Sequence, residues 1–214
     1  NKEIIQLSGG NTSIKDNKNL WIKASGKRLS MAESQPIFAS IPLDPSMEDL
    51  HEIDKHIPEN FSTDNLRPSI ETSMHLYLPH KVILHSHPYN IIALSISTNA
   101  ERLFSNYLPS YQWRIIPYIQ PGRQLGLAVK ETYYKSNVQI LILQNHGLII
   151  AANEPLEAER LQNDVLACIR INKRKTLPLN KELLSKYLSF FRGSSLPDNP
   201  IIHSLATDIS SLKL

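Results

Sequence analysis

The sequence predicts an α/β fold built on a mixed or antiparallel sheet. Short runs rich in Ile, Val and Leu are bounded by polar or turn residues, as buried strands are, and helical patterns lie between them. One reversal is also too short for a helical crossover, which argues against a purely parallel sheet. Leu20–Lys23 is the first strand and Val82–Leu84 the second. Val138–Leu143 is the third, and it resumes as Leu148–Ala151 after a hairpin at Gln144-Asn145-His146-Gly147. Ser69–Leu78 reads as a helix opened by the preceding proline, Pro68. Asn90–Ser97 and Arg123–Tyr133 are shorter helices. Leu156–Asn172 is the clearest one, with Leu156, Leu161, Val165, Cys168 and Ile169 on one side. Lys181–Phe191 is a last amphipathic helix, stopped by Gly193-Ser194-Ser195 and Pro197. Residues 32–66, mostly polar and acidic with scattered prolines, read as a long surface excursion.

Composition excludes several classes of function. The 214 residues fit one domain, expected over 1–214 with 176–214 as a C-terminal helix and tail. No apolar run approaches the roughly 18–20 residues of a membrane helix, so no membrane partner is expected. A net charge of +3 with one basic cluster, Lys173-Arg174-Lys175, fits a solvated helix end better than a nucleic-acid surface. The lone Cys168 permits no internal disulfide, which favours a reducing, cytoplasmic setting. Its apolar neighbours predict a buried structural thiol. The chain opens at Asn1 without methionine and reaches a Gly-Gly turn by residue 9, which is compatible with loss of a preceding helix.

The chemistry gathers on histidine. His85-Ser86-His87 follows directly on a predicted strand, where residues i and i+2 point the same way with Cα atoms about 6–7 Å apart. Two neutral imidazoles so placed can reach one ion at about 2.0–2.1 Å. The same pattern also fits a strand that merely ends in histidine, and both readings stand at this point. A catalytic site needs a third ligand, and His146, in the hairpin turn, is the strongest candidate. Gly147 is expected to permit the reversal that exposes its ring. Glu71, in the first turn of its helix, could supply acid–base chemistry or simply serve the helix dipole. His75, four residues on along the same helix face, could orient that site or simply pack as a helix histidine, and packing is the favoured reading. His51, His56, His80 and His203 show no pairing.

Five segments, in this order, resemble the class II aldolase/adducin family: Gly9-Gly10-Asn11-Thr12-Ser13, Ile22-Lys23-Ala24-Ser25-Gly26, Arg67-Pro68-Ser69-Ile70-Glu71, His85-Ser86-His87-Pro88 and Asn145-His146-Gly147-Leu148. Together they span roughly residues 5–170, and the wording is most similar to the aldolase module of rhamnulose-phosphate aldolase/dehydrogenase-type proteins. The resemblance implies a three-layer fold with a central, mixed and mainly antiparallel sheet flanked by helices, commonly assembled as a homotetramer. It implies zinc or another divalent ion held by His85, His87 and His146, with Glu71 as the catalytic group. It also implies that Gly10, Asn11, Ser25, Gly26 and Ser69 bind substrate, since backbone amides at glycine turns and small hydroxyls suit a phosphate dianion. Ile70 stands where sugar-phosphate aldolases often carry a second serine, which removes a hydroxyl from that cradle. Tyr107 and Tyr111 both lie where a neighbouring subunit's proton donor is expected.

The implied reaction is retro-aldol cleavage of a ketose or ketose phosphate through a metal-stabilised enediolate, with Glu71 moving the proton at carbon. Neutral histidines are required, so activity should fall below about pH 6. Two alternatives use the same scaffold. One is a metal-dependent sugar-phosphate epimerase or methylthioribulose-phosphate dehydratase. The other is a non-catalytic adducin-like module, against which the retained histidines and glutamate argue.

Overall fold

In the computed structural model, residues 4–43, 66–170 and 180–190 are described. The chain divides into two units, Asn1–Arg170 and Ile171–Leu214. The first contains one seven-stranded sheet, made of β1 (Asn11–Lys15), β2 (Asn19–Lys23), β3 (Phe38–Pro42), β4 (Val82–Ser86), β5 (Trp113–Ile116), β6 (Ile140–Leu143) and β7 (Gly147–Ala152). Their order is β3-β2-β1-β4-β7-β6-β5, and only the β5–β6 pair is parallel. The sheet is therefore mixed and mainly antiparallel. Its helices are α1 (Thr72–Tyr77), α2 (Tyr89–Ser95), α3 (Ala100–Tyr107), α4 (Arg123–Ser136) and α5 (Pro155–Cys168).

Side-chain alternation along the central strands assigns the two faces. Val82, Ile140, Ile142, Leu148 and Ile150 join a core with Ile91 of α2, Phe104 of α3 and Val165 of α5. Ile83, Leu141, Leu143, Ile149 and Ala151 point the other way, into a core with Met74 of α1 and Leu125 and Val129 of α4. A third cluster, including Leu20, Ile22, Ala39 and Ile41, packs beneath β2 and β3 with Leu76 of α1. Each fully buried aliphatic side chain here contributes roughly 1.5–3 kcal/mol. Every residue of α1 is buried. Lys15 of β1 ties that helix down, donating from Nζ to the carbonyls of Leu76 and Leu78 at its C-terminal end.

Several expectations need correction. Of residues 32–66, 44–65 lie outside the described residues, and the described part holds β3, where Ala39, Ser40 and Ile41 pair with β2 and are buried. Strands β1 and β5 and helix α3 escaped the pattern reading, since Asn-Thr-Ser-Ile-Lys and Trp-Arg-Ile-Ile lack a long apolar signature. Cys168 is exposed. The buried side of α5 is Ala158 and Val165, continued by Ile169, while Leu156 is 74% exposed. In the second unit, α6 (Lys181–Phe190) is led by Asn180, whose Oδ1 accepts from the Leu183 amide at 3.0 Å. His51, His56, His203 and the Lys173-Arg174-Lys175 cluster lie outside the described residues. Among the described residues no helix is long and apolar enough to cross a membrane.

Candidate metal centre

Strand β4 carries Ile83 into the α1–α4 face, so His85 and, one residue past the strand, His87 follow it there. Ser86 faces the opposite side and donates to Gln162 Oε1 of α5 at 3.1 Å. The β6–β7 turn brings His146 to the same place. Ring centroids are 4.7 Å apart for His85–His87, 4.9 Å for His85–His146 and 5.1 Å for His87–His146. Glu71 completes the group, with one ligand atom from each of the four residues within 4.8 Å of the others.

Two local features differ from expectation. Glu71 is the residue before α1 and not part of its first turn, and its side chain caps nothing. Its carboxylate is thereby free to turn into the cluster. In the turn, the left-handed residue is Asn145 (φ 52°), held by a hydrogen bond from its amide to Ser95 Oγ at 2.9 Å. Gly147 serves close approach instead, because a Cβ there would lie 2.3 Å from the Ser86 carbonyl oxygen.

The donor set suits a cation. His85 Nδ1 lies 3.1 Å from the Leu148 carbonyl oxygen, which can only accept, so the ring proton is on Nδ1 and Nε2 is bare. That bare Nε2 is 2.9 Å from His87 Nε2. Two imidazole nitrogens of one tetrahedral zinc sit roughly 3.3 Å apart, by geometry from Zn–N distances near 2.0–2.1 Å. Glu71 Oε2 lies 3.5 Å from His85 Nε2. Oε1 lies 3.0 Å from His146 Nε2, yet without hydrogen-bond alignment, and it is buried with no other partner. An ion placed among the rings would answer both the bare His85 nitrogen and this carboxylate oxygen.

Burial lowers His85 from its ordinary value to about 3 and also lowers His87. Burial works to raise the Glu71 carboxyl. The His146 contact, the charge on His85 and His146 and the Asn11 hydrogen bond outweigh it, to about 2. Glu71 is therefore ionised near neutrality, with the Asn11 amide donating to its Oε2.

Stability should follow the buried rings. His75 is also lowered to about 3, chiefly by burial. Between pH 6.5 and 3 the unfolded chain takes up protons at His75 and His85 that the folded chain refuses. This contribution is complete above pH 6.5 and is lost as the pH falls, at up to about 1.4 kcal/mol per pH unit for each ring. Denaturant unfolding with chelator present at pH 7, 6 and 5 should show that decline. Equal stability at pH 7 and 5 would contradict it.

The positions expected to cradle substrate lie close by in part. Gly10 has φ 61° and packs against the His85 carbonyl. Asn11 Nδ2 donates to Glu71 Oε2 at 2.8 Å and to Ser69 Oγ at 3.0 Å, so both side chains adjoin the carboxylate. Ser25 and Gly26 are exposed, with the Ser25 amide bonded to the Arg67 carbonyl at 2.8 Å. Ile70 is 60% exposed beside Glu71. Tyr107 and Tyr111 pack against the core of the other face.

Pattern reading passed over Lys23, which is 2% exposed. Its Nζ donates to the carbonyls of Ser8 at 3.0 Å and Lys27 at 2.8 Å, joining the two glycine turns. Burial lowers its pKa, against the attraction of Glu71. A lysine inside an Ile-Lys-Ala-Ser-Gly strand end was the one available signal.

The family described as Class II Aldolase and Adducin N-terminal domain matches the chain over residues 1–171. An uncharacterized oxidoreductase, YuxG of Bacillus subtilis (strain 168), is 27% identical over 171 residues, covering 69% of this chain and 24% of that protein. The chain thus spans about a quarter of the length of the curated relative it matches. Among solved structures, the N-terminal class II aldolase domain of a conserved Thermoplasma acidophilum protein aligns with a TM-score of 0.65 and 23% identity, covering 79% of this chain and 85% of that one. A sugar-phosphate aldolase from Thermotoga maritima gives 0.57 and 17%, covering 89% and 90%. L-fuculose-1-phosphate aldolase from Thermus thermophilus gives 0.54 and 17%, covering 89% of each chain. At these identities the structures speak to the fold alone.

Proposed function

The chain belongs to the class II aldolase and adducin family, and from that premise we propose that it is a metal-dependent aldolase, a lyase acting on a ketose or ketose phosphate. The observation that carries this reading is the convergence of Glu71, His85, His87 and His146 around one point, with the bare Nε2 of His85 and a buried Glu71 oxygen that accepts no hydrogen bond facing inward. His85, His87 and His146 would hold the ion, zinc by the nitrogen-rich donor set, with Glu71 beside it. When bound, the ion supplies Lewis-acid stabilisation of the negative charge that develops as the C–C bond breaks.

The chain's own residues do the rest. Glu71, ionised and fixed by Asn11, moves the proton at the substrate carbon that carries the electron pair after cleavage. In condensation the carboxylate removes that proton and holds it as the acid. In cleavage the carboxyl, first protonated from water, delivers it to carbon while the proton of the cleaved hydroxyl leaves to solvent. No lysine imine is needed. Gly10, Asn11, Ser25, Gly26 and Ser69 would bind the substrate's end group, and exposed Ile70 leaves that end with one hydroxyl fewer. Cytoplasmic location, a homotetramer and a role in carbohydrate metabolism belong to the same reading, as does a single domain over 1–214.

The test is metal analysis of protein never exposed to chelator, together with exchange of the carbon-bound proton of dihydroxyacetone phosphate. Near-stoichiometric divalent metal and metal-dependent exchange are expected. His87→Ala should lose the metal. Absence of metal from the wild type, or full occupancy in His87→Ala, counts against the site.

A further inference from the structure

A buried polar chain runs beneath Glu71, and metal ligation alone does not call for it. Asn11 and Ser13 lie two residues apart on β1, opposite His85 and Ile83 of β4, and so share their face. His75, one turn along α1 from Glu71, reaches both of them. Asn11 is 3% exposed, Ser13 2% and His75 0%. His75 Nε2 meets Asn11 Oδ1, and His75 Nδ1 lies 2.7 Å from Ser13 Oγ.

Valence orients the chain. Asn11 Nδ2 faces Glu71 Oε2 and Ser69 Oγ, because the opposite amide orientation would press a carbonyl oxygen against a carboxylate. Oδ1 therefore faces His75 and can only accept, so the ring proton is on Nε2. Nδ1 is left with its lone pair and accepts from the Ser13 hydroxyl. Each bond in the series points toward the carboxylate: Ser13 to His75, His75 to Asn11, Asn11 to Glu71. A plain core-filling role would be met by an apolar side chain with no polar group to desolvate. Burial keeps the ring neutral, with its pKa lowered to about 3, and the neutral ring has the one donor and one acceptor this order requires.

We propose that His75 is a positioning residue: through Asn11 it determines that Oε2 of Glu71 is held and that Oε1 is presented to the histidine cluster. The inference rests on the reading of Glu71 and the three histidines as a metal-dependent acid–base site. Without the donor from His75, the Asn11 amide is free to turn, and Glu71 loses its fixed partner. The carboxylate then samples rotamers in which neither oxygen faces the cluster.

Two measurements on the full chain test this. In wild-type protein, nitrogen NMR of labelled histidine should show His75 as the neutral Nε2–H tautomer from pH 7 down to pH 5. A ring protonated on Nδ1, or an imidazolium at pH 5, overturns the proposal, whatever reaction the protein catalyses. In the second measurement, apparent affinity for Zn2+ alone is compared across His75→Leu and His75→Gln. The glutamine amide extends far enough to donate to Asn11, and leucine offers no donor. His75→Leu should weaken zinc binding about 10–100-fold, the usual effect of removing a partner that orients a ligand group. His75→Gln should recover most of it. Wild-type affinity in His75→Leu, or equal losses in both variants, overturns the proposal. Should His75→Leu not fold, His75→Asn makes the same comparison, because its shorter amide reaches toward Ser13 and not Asn11. It should lose what His75→Gln keeps, and equal behaviour of the two counts against the idea. A wild type that binds zinc but catalyses no proton exchange defeats the aldolase reading and leaves these two comparisons intact.

Discussion

Glu71→Gln is expected to keep its metal while proton exchange on dihydroxyacetone phosphate falls by about 10²–10⁴-fold, the span that a positioned general base supplies. The substitution preserves size, and the Asn11 Nδ2 donor will draw the new carbonyl oxygen into the place of Oε2. The amide nitrogen then faces His146, where it can neither accept a proton nor ligate an ion. His85, His87 and His146 are untouched, so metal content at saturating zinc should remain near that of the wild type. Zinc affinity should fall by at least as much as in His75→Leu, because the carboxylate no longer adjoins the ion. Exchange at the wild-type rate would remove Glu71 from the chemistry. Loss of the metal would instead make the carboxylate chiefly a ligand. The two failures are told apart by measuring metal and exchange on the same preparation.

Gly147→Ala should carry the largest structural effect of any single methyl at the site. The added carbon would lie 2.3 Å from the Ser86 carbonyl, 3.0 Å from His87 Cδ2 and 3.3 Å from His85 Cε1. The first of these neighbours is backbone and cannot rotate away, so β4 and β7 must part at the end where they present the histidines. We expect destabilisation of about 3 kcal/mol, at the upper end of ordinary overpacking, read from denaturant unfolding. Metal affinity should drop with it, because His85 and His87 stand on one side of that opening and His146 on the other. Wild-type stability in Gly147→Ala would mean that the strands separate at no cost, and that the turn is held by Asn145 and Ser95 alone.

The contrast between these two variants reflects how the site is built. Glu71 comes from the residue before a wholly buried six-residue helix, so its chemistry can be changed without moving its neighbours. Gly147 lies in the sheet, where β4 and β7 are paired from Val82–Ala152 to Ser86–Leu148, and parting the two strands separates His85 and His87 from His146.

Some of this was legible in the sequence because it is local. Side-chain alternation is a property of any extended strand, so His85 and His87 were bound to share a face once Val82–Leu84 was read as β4. The hairpin around His146 and the helices at 123 and 156 follow from short-range pattern in the same way. The ordered motifs named Glu71 as the catalytic group and Asn11 and Ser69 as substrate-binding positions, and in the structure the Asn11 amide donates to both Glu71 and Ser69.

What the sequence could not show depended on pairing across long separations. Asn-Thr-Ser-Ile-Lys looks like a loop until β4 and β2 flank it; then its polar residues Asn11 and Ser13 are buried because they have partners on α1, not because they are apolar. Packing was the favoured reading of His75 over an orienting role, since nothing within its own helix reveals an asparagine 64 positions earlier at its ring nitrogen. Cys168 read as buried from its neighbours, yet the side of α5 that meets the sheet passes it by. The sequence by itself determined which residues could serve a metal and which way two of them face. Only the tertiary structure decided that four of them meet and that a buried chain of hydrogen bonds orients the carboxylate. Ligand type and strand parity are carried by single residues, whereas convergence and hydrogen-bond direction exist only once distant segments are packed together.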